Sequence, residues 1–140
     1  MALNKEYLKI GADIIKAAFT VKTNVGRGLR ESYYEAALAY EIQKLGYTVE
    51  TQVTVPALYC GMEIRDAYKA DIIVDKRVII EVKALNQLGD SECRQLYTYL
   101  RLSNIRLGYL INFGVYDFSI GSTRDKHPLT QGIYRIVNNL

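Results

Sequence analysis

The chain has 140 residues, of which 49% are hydrophobic and 24% are charged, and its formal net charge is +3. The length fits one ordinary domain and the composition is that of a globular protein, which excludes a disordered chain. No apolar stretch approaches the roughly 18–20 residues that a membrane helix needs. The N-terminus lacks the charged-then-apolar pattern of a signal peptide, so we expect a cytoplasmic protein without a membrane partner.

The small positive charge limits the kinds of partner without deciding among them. A protein that coats DNA without sequence preference is usually more basic than this chain. An enzyme that holds carboxylates around metal ions can have such a balance, because the bound cations add positive charge that the sequence does not count.

Cysteine and histidine are too few for several kinds of site. Cys60 and Cys93 lie far apart and lack Cys-x-x-Cys spacing, so we interpret both as buried thiols without a metal or redox role. His127 is the only histidine. One histidine cannot build a histidine-rich zinc site, and it also makes Ser–His hydrolysis unfavoured.

Two helices open the predicted fold. Apolar residues at helical spacing predict the first helix over residues 4–21, with a stripe formed by Leu8, Ala12, Ile15 and Phe19. The second helix is predicted over residues 29–45, with a stripe formed by Tyr34, Leu38, Ile42 and Leu45. Gly46 follows at the position of a left-handed helix terminator.

Strands dominate the rest of the chain. Period-two alternation and apolar runs predict strands at residues 47–55, 68–74, 78–84, 106–113, 115–120 and 133–137. A short hairpin is expected at residues 57–64, a tight turn at 75–77, and a third helix at 91–102 with Asp90 or Ser91 as its N-cap. This order predicts one α/β layered domain over residues 1–140, with a mixed sheet.

The most informative stretch is the pair of apolar strands between residues 68 and 84. Because side chains alternate along a strand, Glu81 and Lys83 share one face, while the other face is apolar. A short turn places Asp71 of the preceding strand near Glu81, where the two carboxylates can converge on one cation. Two hard oxygen ligands suit Mg²⁺, and a nearby ammonium can steady the attacking water and the phosphate charge. A plain ion pair between Glu81 and Lys83 is the alternative.

The same residues resemble the active-site pattern of the PD-(D/E)xK, or restriction-endonuclease-like, nuclease superfamily. Asp71 is followed by Glu81-x-Lys83 on the next strand, although Lys69 and Ala70 precede Asp71 where the superfamily's name has a proline. The second helix, with Glu35 a fixed distance before Gly46 and Tyr47, resembles the helix of archaeal Holliday-junction resolvases. The resemblance therefore makes Glu35 a helix-borne metal ligand.

Two shorter motifs extend the resemblance. Gly28, Glu31 and Tyr34 fit the GxxExxY signature that names a small family within this superfamily. Gln95 and Tyr99 fit the QxxxY motif of RecB-like nucleases, and they share a helix face because they are four residues apart. The resemblance covers about residues 26–113.

The resemblance implies a fold, an activity and a set of site residues. The fold would be a restriction-endonuclease-like αβββαβ core, a mixed sheet flanked by helices, with an extra N-terminal helix. The activity would be Mg²⁺-dependent hydrolysis of phosphodiester bonds, with Mn²⁺ as a substitute and DNA as the expected substrate. The implied catalytic residues are Lys83, Glu81, Asp71 and Glu35. The implied metal ligands are Asp71, Glu81, Glu35 and the carbonyl of Val82. The implied substrate contacts are Gln95, Tyr99, Glu31 and Arg94.

Two other functions stay open at this stage. The same fold could keep these charges as a structural cluster in a module that binds nucleic acid or a protein partner without cleaving. The tyrosine-rich helices and the modest charge also fit an interaction protein unrelated to nucleic acid. A homodimer is compatible with the resemblance, because many such nucleases engage both strands.

Overall fold

The computed structural model describes residues 3–65 and 67–139. The helices in this part of the chain are α1 (Lys5–Val25), α2 (Glu31–Lys44) and α3 (Asp90–Ser103). The strands are β1 (Val49–Val55), β2 (Leu58–Tyr59), β3 (Met62–Glu63), β4 (Tyr68–Val74), β5 (Val78–Lys83), β6 (Leu107–Asn112), β7 (Asp117–Ile120) and β8 (Gln131–Val137). No helix among the described residues has the length and apolar character that crossing a membrane requires.

A mixed sheet organises the molecule. Its strand order is β1-β4-β5-β6-β8-β7, and β2 pairs with β3 in a separate hairpin. The pairs β5–β6 and β7–β8 are parallel and the other pairs of the sheet are antiparallel. The helix α3 connects the parallel strands β5 and β6. This architecture confirms the predicted mixed sheet flanked by helices, with an extra N-terminal helix.

Helices cover both faces of the sheet. Along β5 the side chains of Val78, Ile80 and Val82 belong to the core formed with α1 and α2, whereas Ile79 belongs to the core formed with α3. The central strands are therefore buried on both faces, which explains their continuous Ile, Val and Leu content. Any charged side chain in these strands is forced to lie within or beside a hydrophobic core.

The predicted stripe of α1 is wrong. Leu8 is 51% exposed, Ala12 and Phe19 are also exposed, and Ile15 is only half-buried. The buried face of the helix instead consists of Ile10, Gly11, Ile14, Ala17, Ala18 and Val21. Both stripes have helical spacing, but the small residues of the buried one allow a close approach. A Cβ atom added at Gly11 would lie 2.3 Å from the hydroxyl oxygen of Tyr109 on β6.

Several local predictions need smaller corrections. Leu45, predicted to end the apolar stripe of the second helix, lies beyond α2 and is exposed. The N-cap of α3 is Gly89 rather than Asp90 or Ser91. The N–H of Gly89 donates to the Glu92 carboxylate at 3.1 Å, which closes the first turn without a side-chain cap. The two cysteines are not both buried, because Cys60 is exposed and Cys93 is half-buried.

The tight turn between β4 and β5 is present as predicted. Asp75 and Lys76 both have positive φ angles, of 49° and 55°. Two successive left-handed residues are typical of the two-residue turn that matches the twist of an antiparallel hairpin. This turn brings β4 and β5 side by side, and so sets Asp71 opposite Glu81.

Candidate active site

The strands β4 and β5 separate where Asp71 faces Glu81. Their register contains the pairs from Val74–Val78 to Ile72–Ile80 and stops there. Beyond that point two side chains replace the backbone ladder. The Asp71 N–H donates to Glu81 Oε2 at 2.8 Å, and the Val82 N–H donates to Asp71 Oδ2 at 2.8 Å. Each carboxylate therefore satisfies a backbone donor that the separation of the strands has left without a carbonyl.

The strand β1 bends at Gln52, opposite Asp71. Gln52 has a φ of 51°, which is uncommon for a residue with a side chain. Val49 packs with the α1–α2 core but Val53 packs with the α3 core, although residues four apart share a face in a regular strand. The bend therefore reverses the faces of β1, and it directs the side chain of Gln52 into the space between α2 and β4.

Gln52 joins the two carboxylates that flank this space. Its Nε2 donates to Glu35 Oε1 of α2 at 2.6 Å and to Asp71 Oδ1 of β4 at 3.3 Å. Gln52 thus links Glu35 of α2 to Asp71 of β4. Burial raises the pKa of Glu35, and so does the negative charge of Asp71, while the Gln52 hydrogen bond lowers it. One amide nitrogen occupies the volume where two acidic side chains meet.

Glu81 is the most strongly perturbed acid of the cluster. It is 3% exposed. Burial raises its pKa to about 8, and the negative charges of Asp71 and Glu35 contribute to the rise, while the Asp71 N–H and the charge of Lys83 oppose it. A carboxyl group that is buried next to like charge is costly in its ionised form. The site therefore has a deficit of positive charge.

Lys83 and two residues of α3 lie on the other side of this acid cluster. Lys83 Nζ lies 3.5 Å from the side-chain oxygen of Gln95, a long hydrogen bond. Tyr99 is buried against Tyr68, with 5.5 Å between the ring centroids. Burial and the charges of Glu81 and Asp71 raise the pKa of Tyr99 to about 12, so its hydroxyl keeps its proton at neutral pH.

The remaining predicted site residues lie further out. Glu31 is an exposed residue of the first turn of α2 and lines an open cleft of about 390 Å³. The other residues that line this cleft are Ser32, Glu35, Gln52, Asp71 and Val82. Arg94 points elsewhere, because its Nε forms an exposed ion pair with Asp90 Oδ2 at 2.9 Å on the surface of α3. The structure therefore does not bring Arg94 to the cleft.

Gln52 is the residue that reasoning from the sequence missed. In the sequence it occupies a regular position of an alternating strand, and such a position predicts a side chain in solvent. Its contacts with Glu35 and Asp71 exist only because the backbone bends at that residue. No residue type or spacing in the sequence marks that bend.

The donor chemistry of the cleft fits a hard divalent cation. Asp71 and Glu35 offer carboxylate oxygens and line the cleft together with Val82, and the buried carboxylate of Glu81 lies beside Asp71. Among residues 3–65 and 67–139, no three acidic, histidine or cysteine side chains form a ready-made metal-binding group. Backbone N–H groups bind one oxygen each of Asp71 and Glu81, and Gln52 bonds one oxygen each of Asp71 and Glu35. The residues fit a cation if Gln52 turns away.

A family model described as the PD-(D/E)XK nuclease superfamily matches residues 8–124. The matched segment extends from α1 to the loop after β7 and contains all the residues that line the cleft. The chain therefore belongs to the PD-(D/E)XK nuclease superfamily, which is the superfamily that the sequence resembles. No curated protein and no solved structure matches the chain. The narrower assignments to the GxxExxY family and to the QxxxY motif stay predictions.

Proposed function

We propose that the protein is a metal-dependent nuclease that hydrolyses the phosphodiester bonds of DNA and uses Mg²⁺, replaceable by Mn²⁺. Membership of the nuclease superfamily supports phosphodiester hydrolysis. The observation that carries the metal-dependent part is the buried carboxylate of Glu81, which lies beside Asp71 and two residues before Lys83. Buried acids that repel one another are stabilised by a bound cation, which supplies the missing positive charge.

The metal ligands in this proposal are Asp71, Glu81, Glu35 and the carbonyl of Val82. The N–H of Val82 faces β4, and in an extended strand the carbonyl of a residue faces the same neighbour as its N–H. A divalent cation held by these groups would lower the pKa of a water molecule and neutralise charge that grows on the phosphate. The cleft is open, so a phosphate on the surface of a polymer can reach it.

The other residues act on the attacking water, on the phosphate or on the position of Lys83. Lys83 donates from its ammonium group to the attacking water and to the phosphate oxygen on which charge grows. Gln95 orients that ammonium through its side-chain oxygen. Tyr99, whose hydroxyl stays protonated, donates a hydrogen bond to a phosphate oxygen. Glu31 lies at the mouth of the cleft and sets which part of the substrate can approach.

A cleavage assay tests the proposal. Purified protein should cut DNA in Mg²⁺ or Mn²⁺, and should be silent with a chelator or with Ca²⁺, whose looser coordination does not support the chemistry. Lys83→Ala should lower the rate about 100-fold or more, the scale of losing one preorganised contact to the transition state. Asp71→Ala should abolish cleavage. Lys76→Ala, at the opposite end of the hairpin, is the matched control and should cut like the wild type.

Two results would correct the proposal. Equal chelator-sensitive rates for wild type and Lys83→Ala would indicate a contaminating nuclease, and a non-cleaving binding module would then be the better account. Faster cutting of RNA than of DNA of the same sequence would change the substrate but keep the reaction. The predicted homodimer is independent of both results and stays a prediction.

A further inference from the structure

A second groove adjoins the acidic cleft. It has a volume of about 450 Å³ and is lined by Arg27, Gly28, Leu29, Ala84, Asn86 and Gly114. Val82 lines the cleft and Ala84 lines the groove, and they lie on either side of Lys83 in the sequence. Two residues of extended chain span about 6.6 Å, which is comparable with the separation of consecutive phosphates along a nucleic-acid strand. The groove therefore begins one nucleotide from the proposed reaction centre.

Both walls of the groove are fixed by buried contacts. On one side the hydroxyl of Tyr34 donates to the Gly26 carbonyl at 2.7 Å and accepts the Leu29 N–H at 3.2 Å, which holds the loop between α1 and α2. On the other side Asn112 Oδ1 accepts the N–H groups of Leu85 and Gly114, at 2.9 and 3.0 Å. These bonds tie the loops that follow β5 and β6 to each other.

A stacked pair of side chains stands at the end of this groove. The guanidinium carbon of Arg27 lies 3.3 Å from the ring centroid of Tyr116, and Arg27 Nη1 donates to the Gly114 carbonyl at 3.3 Å. Lys22 holds the same loop, because its Nζ donates to the carbonyls of Phe113 and Val115. Tyr116 is nevertheless 85% exposed. The ring lies against Arg27 and keeps most of its surface in water.

The charge of the groove is opposite to that of the cleft. Glu31, Glu35 and Asp71 line the cleft, whereas the groove contains Arg27 and no acidic residue. A guanidinium has five N–H donors, and the contact with Gly114 uses one of them. The free donors of Arg27 suit a phosphate, and the exposed ring of Tyr116 suits the flat face of a base.

We propose that this groove is a subsite for an unpaired nucleotide next to the phosphate that is cut. Arg27 binds the phosphate of that nucleotide, and its base stacks on Tyr116. The proposal rests on the proposed nuclease function and adds a substrate class to it. A base inside a duplex is already stacked on both faces, so the site favours single-stranded DNA or the unpaired region of a branched substrate.

Binding measurements test the subsite apart from cleavage. Fluorescence anisotropy would follow a labelled single-stranded oligodeoxynucleotide binding to Lys83→Ala protein in Ca²⁺. Adding Arg27→Ala should weaken binding about 10-fold. It should also make the slope of log affinity against log salt concentration shallower by about one, because one fewer phosphate is neutralised. Adding Tyr116→Ala should weaken binding about 5-fold or more, and Tyr116→Phe should restore it. Neither change should weaken binding to a duplex by as much.

An abasic oligonucleotide and a second cation–aromatic pair serve as controls. Tyr116→Ala should have no effect on binding to an oligonucleotide without bases. Lys44 lies over the ring of Tyr40 at 5.3 Å, at the far end of α2 from the cleft. Lys44→Ala and Tyr40→Ala should therefore leave the affinity unchanged. Equal effects of Tyr116→Ala on normal and abasic strands would overturn the stacking.

The failures of the two proposals can be told apart. Arg27→Ala and Tyr116→Ala are each added to the Lys83→Ala protein. If neither weakens binding of the oligonucleotide, the subsite is wrong, and contact with a protein partner becomes the better explanation of the exposed pair. If the wild type cuts no substrate but Arg27→Ala weakens binding as expected, the nuclease proposal is wrong and the groove is a nucleotide-binding site without a cleavage step. If the Lys83→Ala protein itself binds no oligonucleotide, both the subsite and the nuclease proposal are overturned.

Discussion

Gln52 lies beside two of the side chains that the proposal assigns to the cation. Its amide nitrogen donates to one oxygen of Glu35 and one oxygen of Asp71, and so offers partial positive charge to two groups of like charge. The backbone adopts a φ of 51° to put it there, and such a conformation costs about 1 kcal/mol for a residue with a side chain. A neutral donor that is strained into this position and exposed to solvent can leave it readily.

Replacing Gln52 should therefore separate its effects on stability and on metal binding. Gln52→Ala should lower the free energy of unfolding of the metal-free protein by about 1 kcal/mol, because two hydrogen bonds to carboxylates are lost at an exposed position. The same change should tighten Mg²⁺ binding about 5-fold, because the competing amide is gone. Urea unfolding and titration calorimetry would measure the two quantities.

Gln43→Ala is the control for this experiment, since Gln43 is an exposed residue of α2, and it should change neither quantity. Weaker Mg²⁺ binding by Gln52→Ala would contradict the assigned role. It would mean that Gln52 contributes its own oxygen to the metal.

Glu81 should make the stability of the metal-free protein depend on pH. Its pKa is about 8 in the folded protein, against an ordinary value of 4.5. Between these values the unfolded chain has released the proton while the folded protein retains it. Rising pH therefore favours the unfolded state across this window, by up to about 1.4 kcal/mol for each pH unit. Below pH 4.5 both states are protonated and the effect vanishes.

The comparison with Glu81→Gln isolates this effect. Urea unfolding in chelator from pH 5 to pH 8 should show wild type losing stability relative to Glu81→Gln, because the other groups titrate in both proteins. Glu63→Gln, on the exposed strand β3, should follow the wild type. If the free energy of unfolding changes equally with pH in wild type and Glu81→Gln, Glu81 ionises normally. The argument that a cation must balance a buried acid would then fail.

At the scale of elements, α1 shows the limit of reasoning from periodicity. The stripe through Leu8 and Phe19 and the stripe through Ile10 and Ile14 have the same helical spacing. Gly11 decides between them, because only a face without side-chain bulk can lie against the hydroxyl of Tyr109. That contact joins residues almost 100 positions apart in the sequence, so the periodicity of the helix alone cannot reveal it.

Two alanine substitutions on α1 test this choice of face. Ile14 is fully buried, so Ile14→Ala should cost about 2–5 kcal/mol of stability through the lost contacts and the cavity left behind. Leu8→Ala, on the predicted but exposed face, should change stability by less than about 0.5 kcal/mol. Equal losses measured by urea unfolding would mean that Leu8 is buried as well, which would contradict the packing described.

The helices α2 and α3 and the strands β4 and β5 all begin and end within two residues of their predicted bounds. The strands β4 and β5 are rich in Ile and Val and the turn between them is charged, so the strands, the turn and the position of Asp71 opposite Glu81 all follow from local patterns. The bend at Gln52 does not. It depends on how β1 pairs with β4 around a residue whose neighbours alternate normally.

At the scale of the whole molecule, the fold brings opposite charges together at one end of the sheet. The acidic cleft lies where β1, β4 and β5 meet α2, and the groove with Arg27 lies beyond the carboxyl ends of the parallel strands β5 and β6. Ligands commonly bind outside the carboxyl ends of parallel strands. The net charge is only +3, but acidic and basic side chains are separated locally. The acidic cleft suits a metal ion, and the adjoining groove with Arg27 suits a polyanion.

The composition could not have indicated this separation. The order of elements, the mixed sheet and the acidic-x-Lys strand are encoded by local residue patterns, and the structure contains them. The groove depends on Tyr34, Asn112 and Lys22, each of which binds backbone groups of a distant loop. Such contacts are properties of the folded chain, and no single segment of the sequence carries them.

The proposed metal site requires Asp71 and Glu81 to hold one divalent cation, and crystals soaked in Mn²⁺ would reveal such an ion. We expect an anomalous peak between the two carboxylates, about 2.1 Å from an oxygen of each, with the side chain of Gln52 turned away from Glu35 and Asp71. The Asp71→Ala protein should show no peak there under the same soak. Wild-type crystals that lack the peak while Gln52 still bonds both Glu35 and Asp71 would overturn the metal site.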